Sequence, residues 1–121
     1  MSKKKDPNVV SRDAALRANE QTRKRLHKRI PQQPETTYLH RVADEYCDLA
    51  EKTYKLEHAL WRKENTENTG ETIVVYTPFA RQLPGKDRQL LVRQRKAMRD
   101  YLAILAQRLE SYKPGIFAPT K

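Results

Sequence analysis

The chain has 121 residues, enough for one small domain, with 37% hydrophobic and 33% charged residues. So little apolar material makes a small domain marginal on its own, and oligomerisation is expected. The single cysteine excludes an intrachain disulfide, and no apolar run approaches the length of a membrane span. Because no hydrophobic stretch typical of a signal peptide follows the basic N-terminus, a soluble cytosolic protein without a membrane partner is predicted.

The net charge of +10 is concentrated near the N-terminus, where residues 1–30 hold ten Lys/Arg and three Asp/Glu. We predict a basic arm and linker over residues 1–35, with its first ten residues disordered and a helix from Ser11 to about Arg29. Five cations in this helix are typical of an arm that binds nucleic acid: Arg23, Lys24, Arg25, Lys28 and Arg29. The alternative is a solubilising tail or a fraying helix.

Residues 36–113 are predicted to form an all-α domain, an antiparallel two-helix hairpin with helices over about 37–64 and 86–112. The first helix carries apolar or Thr residues at alternating spacings of three and four, the pattern of a helix face that meets a partner: Leu39, Val42, Tyr46, Leu49, Thr53, Leu56 and Leu60. The second helix repeats that rhythm at Met98, Leu102, Leu105, Leu109 and Tyr112.

Residues 65–85 are predicted to be an extended loop between the two helices. Residues 72–76, TIVVY, are β-branched or aromatic, but one strand cannot satisfy its own backbone donors and acceptors. An extended loop is therefore favoured over a strand that pairs with a symmetry copy. Residues 114–121 follow Pro114 as a short C-terminal tail.

The second helix carries more apolar residues than one seam needs. Ala97, Tyr101, Ile104 and Arg108 form a second stripe beside the first. This stripe predicts packing against another protomer, giving a helical homo-oligomer. The alternative is that the N-terminal helix covers the stripe within the same chain.

No constellation of catalytic, metal-binding or cofactor-binding residues is recognised in the sequence. The chain has three glycines and no phosphate-binding loop, and His27, His40 and His58 lie far apart without metal-ligand spacing. Cys47 has no activating neighbour in the sequence, so a structural thiol is expected. A protein without enzymatic activity, cofactor or metal is predicted.

The helix pair resembles the hairpin domain of phage anti-CBASS and anti-Thoeris sponge proteins over about residues 38–112. The resemblance rests on YLHRVADEY and LAEKTYKL, and on FARQLPGKDRQLLVRQRKAMRDYLAILAQRL after a spacer. The matching positions are Arg41, Val42, Glu45, Leu49, Lys52, Lys55, Leu56, Phe79, Leu83, Leu90, Leu91, Gln94, Ala97, Met98, Tyr101, Ile104, Leu105 and Arg108. The basic arm and the long spacer extend beyond the family pattern.

The resemblance implies a protein that sequesters cyclic di- or trinucleotide signals of bacterial antiphage defence without cleaving them. It also implies homo-oligomers, often hexamers, with pockets between protomers, and a host-cytoplasmic location if the protein is phage-encoded. By position, Tyr38 matches the residue that stacks on a base, and Lys52 the lysine that contacts phosphate, with Lys55 as its rival. Arg41 and Arg108 are weaker candidates for phosphate contacts.

Two other functions compete with sequestration. In one, the basic arm binds nucleic acid and the hairpin serves as an oligomerisation module. In the other, the protein is a structural helical adaptor with a specific protein partner.

Overall fold

The computed structural model describes residues 7–119 and shows a mostly helical chain with one small β-sheet. Two long helices and a short 3-10 turn come first, a β-hairpin follows, and a short helix leads into the longest one. Their bounds are α1 Pro7–Arg29, the 3-10 turn Pro34–Thr36, α2 Thr37–Leu60, β1 Trp61–Asn65, β2 Thr72–Tyr76, α3 Pro78–Gln82 and α4 Gly85–Tyr112.

Helix α2 lies between α1 and α4 and packs against both. Asn8 hydrogen-bonds to His58 and His27 to His40, so α1 and α2 run antiparallel. Glu57 near the end of α2 binds Arg95 and Arg99 of α4, whereas Tyr38 at the start of α2 lies beside Arg108 and Tyr112 near the end of α4, so this second pair is also antiparallel. The hairpin predicted from the apolar spacing is therefore present as α2 and α4.

The core contains residues from all three long helices and from the C-terminal tail. Its buried members are Leu26, Ile30, Leu39, Val42, Ala43, Cys47, Leu105, Leu109 and Ile116. The α2 and α4 members have the helical spacing that buries one continuous face. The shared core joins all three helices in a single packed unit.

Helix α1 begins at Pro7, four residues earlier than expected, and is packed rather than loose. Leu26 and Ile30 are fully buried against α2, and the buried Asn19 donates its side-chain N–H to the Cys47 carbonyl at 2.8 Å. Residues 1–10 were predicted to be disordered, and residues 1–6 of this segment lie outside the described residues. Residues 7–10 are helical.

The expectation of a purely helical hairpin with an extended loop is wrong between residues 61 and 76. Helix α2 ends at Leu60, and residues 61–65 form β1, which pairs antiparallel with β2 in the register Trp61 to Tyr76 and Asn65 to Thr72. The strand that pairs with the single predicted strand is β1, with the sequence WRKEN, whose charged residues are compatible with a helix. Cross-strand pairing and packing decided its conformation, as β propensity is strongly context-dependent.

Thr77 connects the β-hairpin to the helices. Its hydroxyl donates to the Ala59 carbonyl at 2.5 Å and accepts from the Ala80 amide at 3.2 Å, where it caps α3. The Thr77 amide also donates to the Leu60 carbonyl at 2.9 Å. These bonds hold the β-hairpin at the end of α2.

The C-terminal tail returns to α1. Arg29 donates to the Ile116 and Ala118 carbonyls at 2.8 and 2.6 Å, and Ile116 is fully buried. Phe117 packs on Tyr46 with ring centroids 5.2 Å apart. The tail therefore covers the end of the core between α1 and α2.

Across residues 7–119, none of the helices combines the length and the apolar character that crossing a membrane would need.

Candidate functional site

The start of α2 and the end of α4 together line an open cavity of about 390 Å³. Tyr38 comes from the first turn of α2, and Arg108 and Tyr112 from the last two turns of α4. Leu39 and Val42 are buried at its floor, whereas Tyr38 and Tyr112 are 52% and 39% exposed. The antiparallel hairpin is what brings these distant residues together.

The lining of this Tyr38 cavity suits an aromatic anion. Two exposed phenol rings can stack on bases, and the Arg108 guanidinium can donate to phosphate oxygens. Ser111 adds a hydroxyl, and none of the residues described around the cavity is acidic. Two of the five predicted ligand residues, Tyr38 and Arg108, therefore meet at one site.

Arg41 and Lys52 line a different cavity, of about 470 Å³, together with Asp44, Glu45 and Asp48. Arg23 of α1 donates to Asp44 at 2.9 Å and to Asp48 at 2.6 Å. The carboxylates make this surface less favourable for an anion than the Tyr38 cavity.

Tyr101 closes one side of the second cavity by donating its hydroxyl to Glu45, and this hydrogen bond raises the pKa of Tyr101. Lys55 lies one turn beyond Lys52 and pairs with Glu51 at 3.5 Å. The structure therefore places Lys52 and Lys55 outside the lining of the Tyr38 cavity within one chain.

Four of the five cations predicted for a nucleic-acid arm lie along one groove of about 450 Å³. Lys24, Arg25, Lys28 and Arg29 line it, joined by Lys113 from the end of α4, and the described residues around it include no carboxylate. Arg23 points elsewhere, to Asp44 and Asp48. The basic surface is thus part of the packed domain.

Cys47 is fully buried in the core, and burial raises the pKa of its thiol to about 11. A thiol with so high a pKa is a poor nucleophile at neutral pH. Its position fits the structural role expected from the sequence.

The largest of these cavities, about 570 Å³, lies at the opposite end of the hairpin from Tyr38 and was missed by the sequence analysis. Trp61 and Arg62 of β1 and Arg95 and Arg99 of α4 line it. The sequence does place Arg95 and Arg99 four residues apart on one helix. This spacing alone did not indicate a cavity, because the β-hairpin that completes the cavity was not predicted.

Residues 63–111 match the family model described as Sequestin, over a segment that includes β2, α3 and nearly all of α4. The match is consistent with the resemblance to phage sponge proteins, and the family's name suggests sequestration. No curated protein and no solved structure matches the chain.

Proposed function

We propose that the protein binds cyclic di- or trinucleotide signals of bacterial antiphage defence and sequesters them without cleaving them. The observation that carries the proposal is the convergence of Tyr38, Arg108 and Tyr112 around one open cavity. The Sequestin match supports it, because the matched segment includes Arg108 and the helix that forms one wall of the cavity.

The chemistry of the Tyr38 cavity suits retention of such a ligand. A cyclic dinucleotide presents two bases and two phosphate charges, and stacking on an aromatic side chain contributes about 1–3 kcal/mol per base. An arginine adds charge-assisted hydrogen bonds to phosphate, the stronger class of polar contact. Sequestration needs only this affinity and no reacting group.

A second copy of the chain is proposed to complete the pocket. The α4 stripe of Ala97, Tyr101 and Ile104 is exposed, at 43% for Tyr101 and 53% for Ile104, because α1 packs on α2 and does not cover it. The stripe leads along α4 directly to Arg108, at the rim of the Tyr38 cavity. A copy seated there would cover apolar surface and enclose the ligand.

The three other predicted ligand residues, Lys52, Lys55 and Arg41, are proposed to contact the ligand only in that assembly. Because none of them lines the Tyr38 cavity within one chain, contact with its ligand requires a second copy. The sponge resemblance implies hexamers as one size for the assembly, located in the host cytoplasm if the protein is phage-encoded.

Isothermal titration with a panel of cyclic di- and trinucleotides tests the proposal. We expect at least one ligand to bind, and Tyr38→Ala to weaken it about tenfold or more, the loss of one stacked base. Phe79→Ala is the matched control, because Phe79 is an exposed aromatic residue outside the described cavity linings. Absence of binding across the panel, or equal loss in both variants, would contradict the proposal.

The native mass with and without a cyclic dinucleotide tests the assembly. We expect a homo-oligomer, and Ile104→Glu should dissociate it by placing a charge in the apolar contact. Gln89→Glu adds the same charge at an exposed position on α4 and serves as the control. A monomer under all conditions would contradict a shared pocket.

A second candidate function, nucleic-acid binding, is favoured by the groove of Lys24, Arg25, Lys28, Arg29 and Lys113. Deleting residues 1–30 cannot test it, since the deletion would also remove Leu26 and Ile30 from the core. The double change Lys24→Gln, Lys28→Gln keeps the core intact. Loss of RNA or DNA binding in this variant, with a reduced dependence of affinity on salt, would assign the groove that role.

A further inference from the structure

The cavity of about 570 Å³ lies where the β-hairpin meets the start of α1, the end of α2 and the middle of α4. Strand β1 contributes Arg62 and Lys63, and α4 contributes Arg95 and Arg99. Its volume is within the range of about 300–1,000 Å³ that small-molecule sites occupy. Four cationic side chains therefore surround a space large enough for a nucleotide.

Glu57 holds the two α4 arginines in place. One carboxylate oxygen accepts from Arg95 Nε at 2.6 Å and from Arg99 Nε at 2.8 Å, and the other accepts from Arg99 at 2.5 Å. Burial alone would raise the pKa of Glu57, but hydrogen bonds from the two arginines outweigh it and lower this pKa. The carboxylate stays charged at neutral pH and fixes both guanidinium groups.

The charges around this cavity do not cancel. Four cations face one lining carboxylate, Glu57, and a second carboxylate, Glu64, bonds to Arg62 at 2.6 Å. Two positive charges remain, which matches a phosphate monoester at neutral pH, with about 1.5–2 negative charges. Arg62 Nε is the only buried side-chain nitrogen or oxygen within residues 7–119 that has no hydrogen-bond partner, so an acceptor from outside the chain is expected there.

Other lining residues suit the remainder of a nucleoside. The Asn8 side chain donates to the His58 carbonyl and accepts from His58 Nδ1, a contact of 3.1 Å, so the proton of a neutral ring lies on Nδ1. Burial lowers the pKa of His58, so the ring is neutral and Nε2 is an acceptor suited to a sugar hydroxyl or a base amine. Trp61, with Arg95 5.4 Å from its ring centre, and Val74 supply apolar surface.

We infer that this Arg62–Arg95–Arg99 cavity is a binding site for a nucleoside phosphate, separate from the Tyr38 cavity at the other end of the hairpin. The phosphate is placed among the three arginines, and the nucleoside lies along Trp61, His58 and Val74. All of these residues come from one chain, so the site is complete without a partner copy. The inference does not depend on the proposed sequestration of cyclic nucleotides.

Trp61 is the only tryptophan in the chain and reports on this site directly. The full chain is titrated with ATP, AMP, adenosine and inorganic phosphate, following Trp61 fluorescence and, in parallel, heat. We expect a saturable change with ATP and AMP, tighter for ATP because it carries more charge, and weaker binding of phosphate and adenosine alone. No saturable signal with ATP at millimolar concentration would overturn the inference.

Two variants locate the binding, with one control. Arg62→Gln and Arg95→Gln should each weaken ATP binding about tenfold or more, the factor expected for one charge-assisted hydrogen bond. Arg93→Gln removes the same charge from α4 outside the described lining and should change nothing. Arg62 makes no bond to the core helices in the described structure, so its variant remains informative even if Arg95→Gln fails to fold. Equal weakening by Arg93→Gln would show non-specific attraction and overturn the inference.

Tyr38→Ala separates this site from the proposed sponge site. We expect it to leave ATP binding unchanged while it weakens binding of a cyclic dinucleotide. Loss of ATP binding in Tyr38→Ala would mean one site instead of two and would overturn the inference. Loss of cyclic dinucleotide binding alone leaves the nucleoside phosphate site intact.

Discussion

Leu26 provides the sharpest test of whether the basic N-terminal segment is structural. It is fully buried in the shared core, although the surrounding helix carries most of the cations of residues 1–30. Leu26→Ala removes apolar atoms from the contact between α1 and α2 without changing the charge. If α1 were an arm outside the domain, this change would have little effect on stability.

The expected cost of Leu26→Ala is about 2–5 kcal/mol, the range for truncating a fully buried leucine to alanine. Such a loss is a large fraction of the roughly 5–15 kcal/mol that stabilises a typical domain. For a chain of this size it corresponds to a fall in Tm of roughly 10 °C or more. If the protein forms an oligomer, the interface between copies adds to the measured stability. All variants must therefore be compared at the same protein concentration.

Chemical denaturation followed by far-UV circular dichroism measures this cost. Val10→Ala is the control, since Val10 is an exposed apolar residue of the same helix, and its change should be within about 0.5 kcal/mol. A single cooperative transition shifted to lower denaturant is expected for Leu26→Ala. A shift no larger than that of Val10→Ala would refute the packing of α1 into the core.

Three further outcomes follow from the structure. Hydrogen bonds from arginine or histidine outweigh burial and lower the pKa values of Asp44 and Glu57 in the fold. The stabilisation by these carboxylates is therefore present at neutral pH and is lost as the pH falls below their ordinary pKa values of 3.8 and 4.5. Thermal melts across this range should show the loss, and Glu57→Gln should make the melting temperature less dependent on pH. Cys47, buried and with a raised pKa, should react with a thiol reagent at the rate of unfolding, whereas fast labelling of the native protein would contradict its burial. Arg29→Ala removes the bonds to the Ile116 and Ala118 carbonyls and should loosen the tail, so that the amides of these two residues, which donate to the Lys113 and Gly115 carbonyls, exchange faster; unchanged exchange would show that the tail is held by other contacts.

The helix pair was predictable because its apolar residues follow one periodicity. Leu39, Val42, Leu105 and Leu109 repeat at helical spacing and are all buried in the shared core. The seam could therefore be found without tertiary information. The convergence of Tyr38 with Arg108 also follows from antiparallel pairing, which brings the start of one helix to the end of the other.

The packing of α1 and the β-hairpin were less accessible from sequence. Helix α1 has a thin apolar face, and two of its anchors, Asn19 bonded to the Cys47 carbonyl and Leu26 in the core, depend on where α2 lies. The strand Trp61–Asn65 reads as a continuation of the helix until its partner is known. The Arg62–Arg95–Arg99 cavity requires both features at once, so local patterns could not predict it.

Binding without cleavage is tested most directly by one titration and the recovery of its ligand. A cyclic dinucleotide that binds the purified protein in the titration panel is incubated with it, released by heat denaturation and analysed by chromatography. We expect stoichiometric retention before denaturation and complete recovery of the intact cyclic molecule afterwards, with retention lost in Tyr38→Ala. Linear products, or retention that is unchanged by Tyr38→Ala, would contradict sequestration at the Tyr38 cavity.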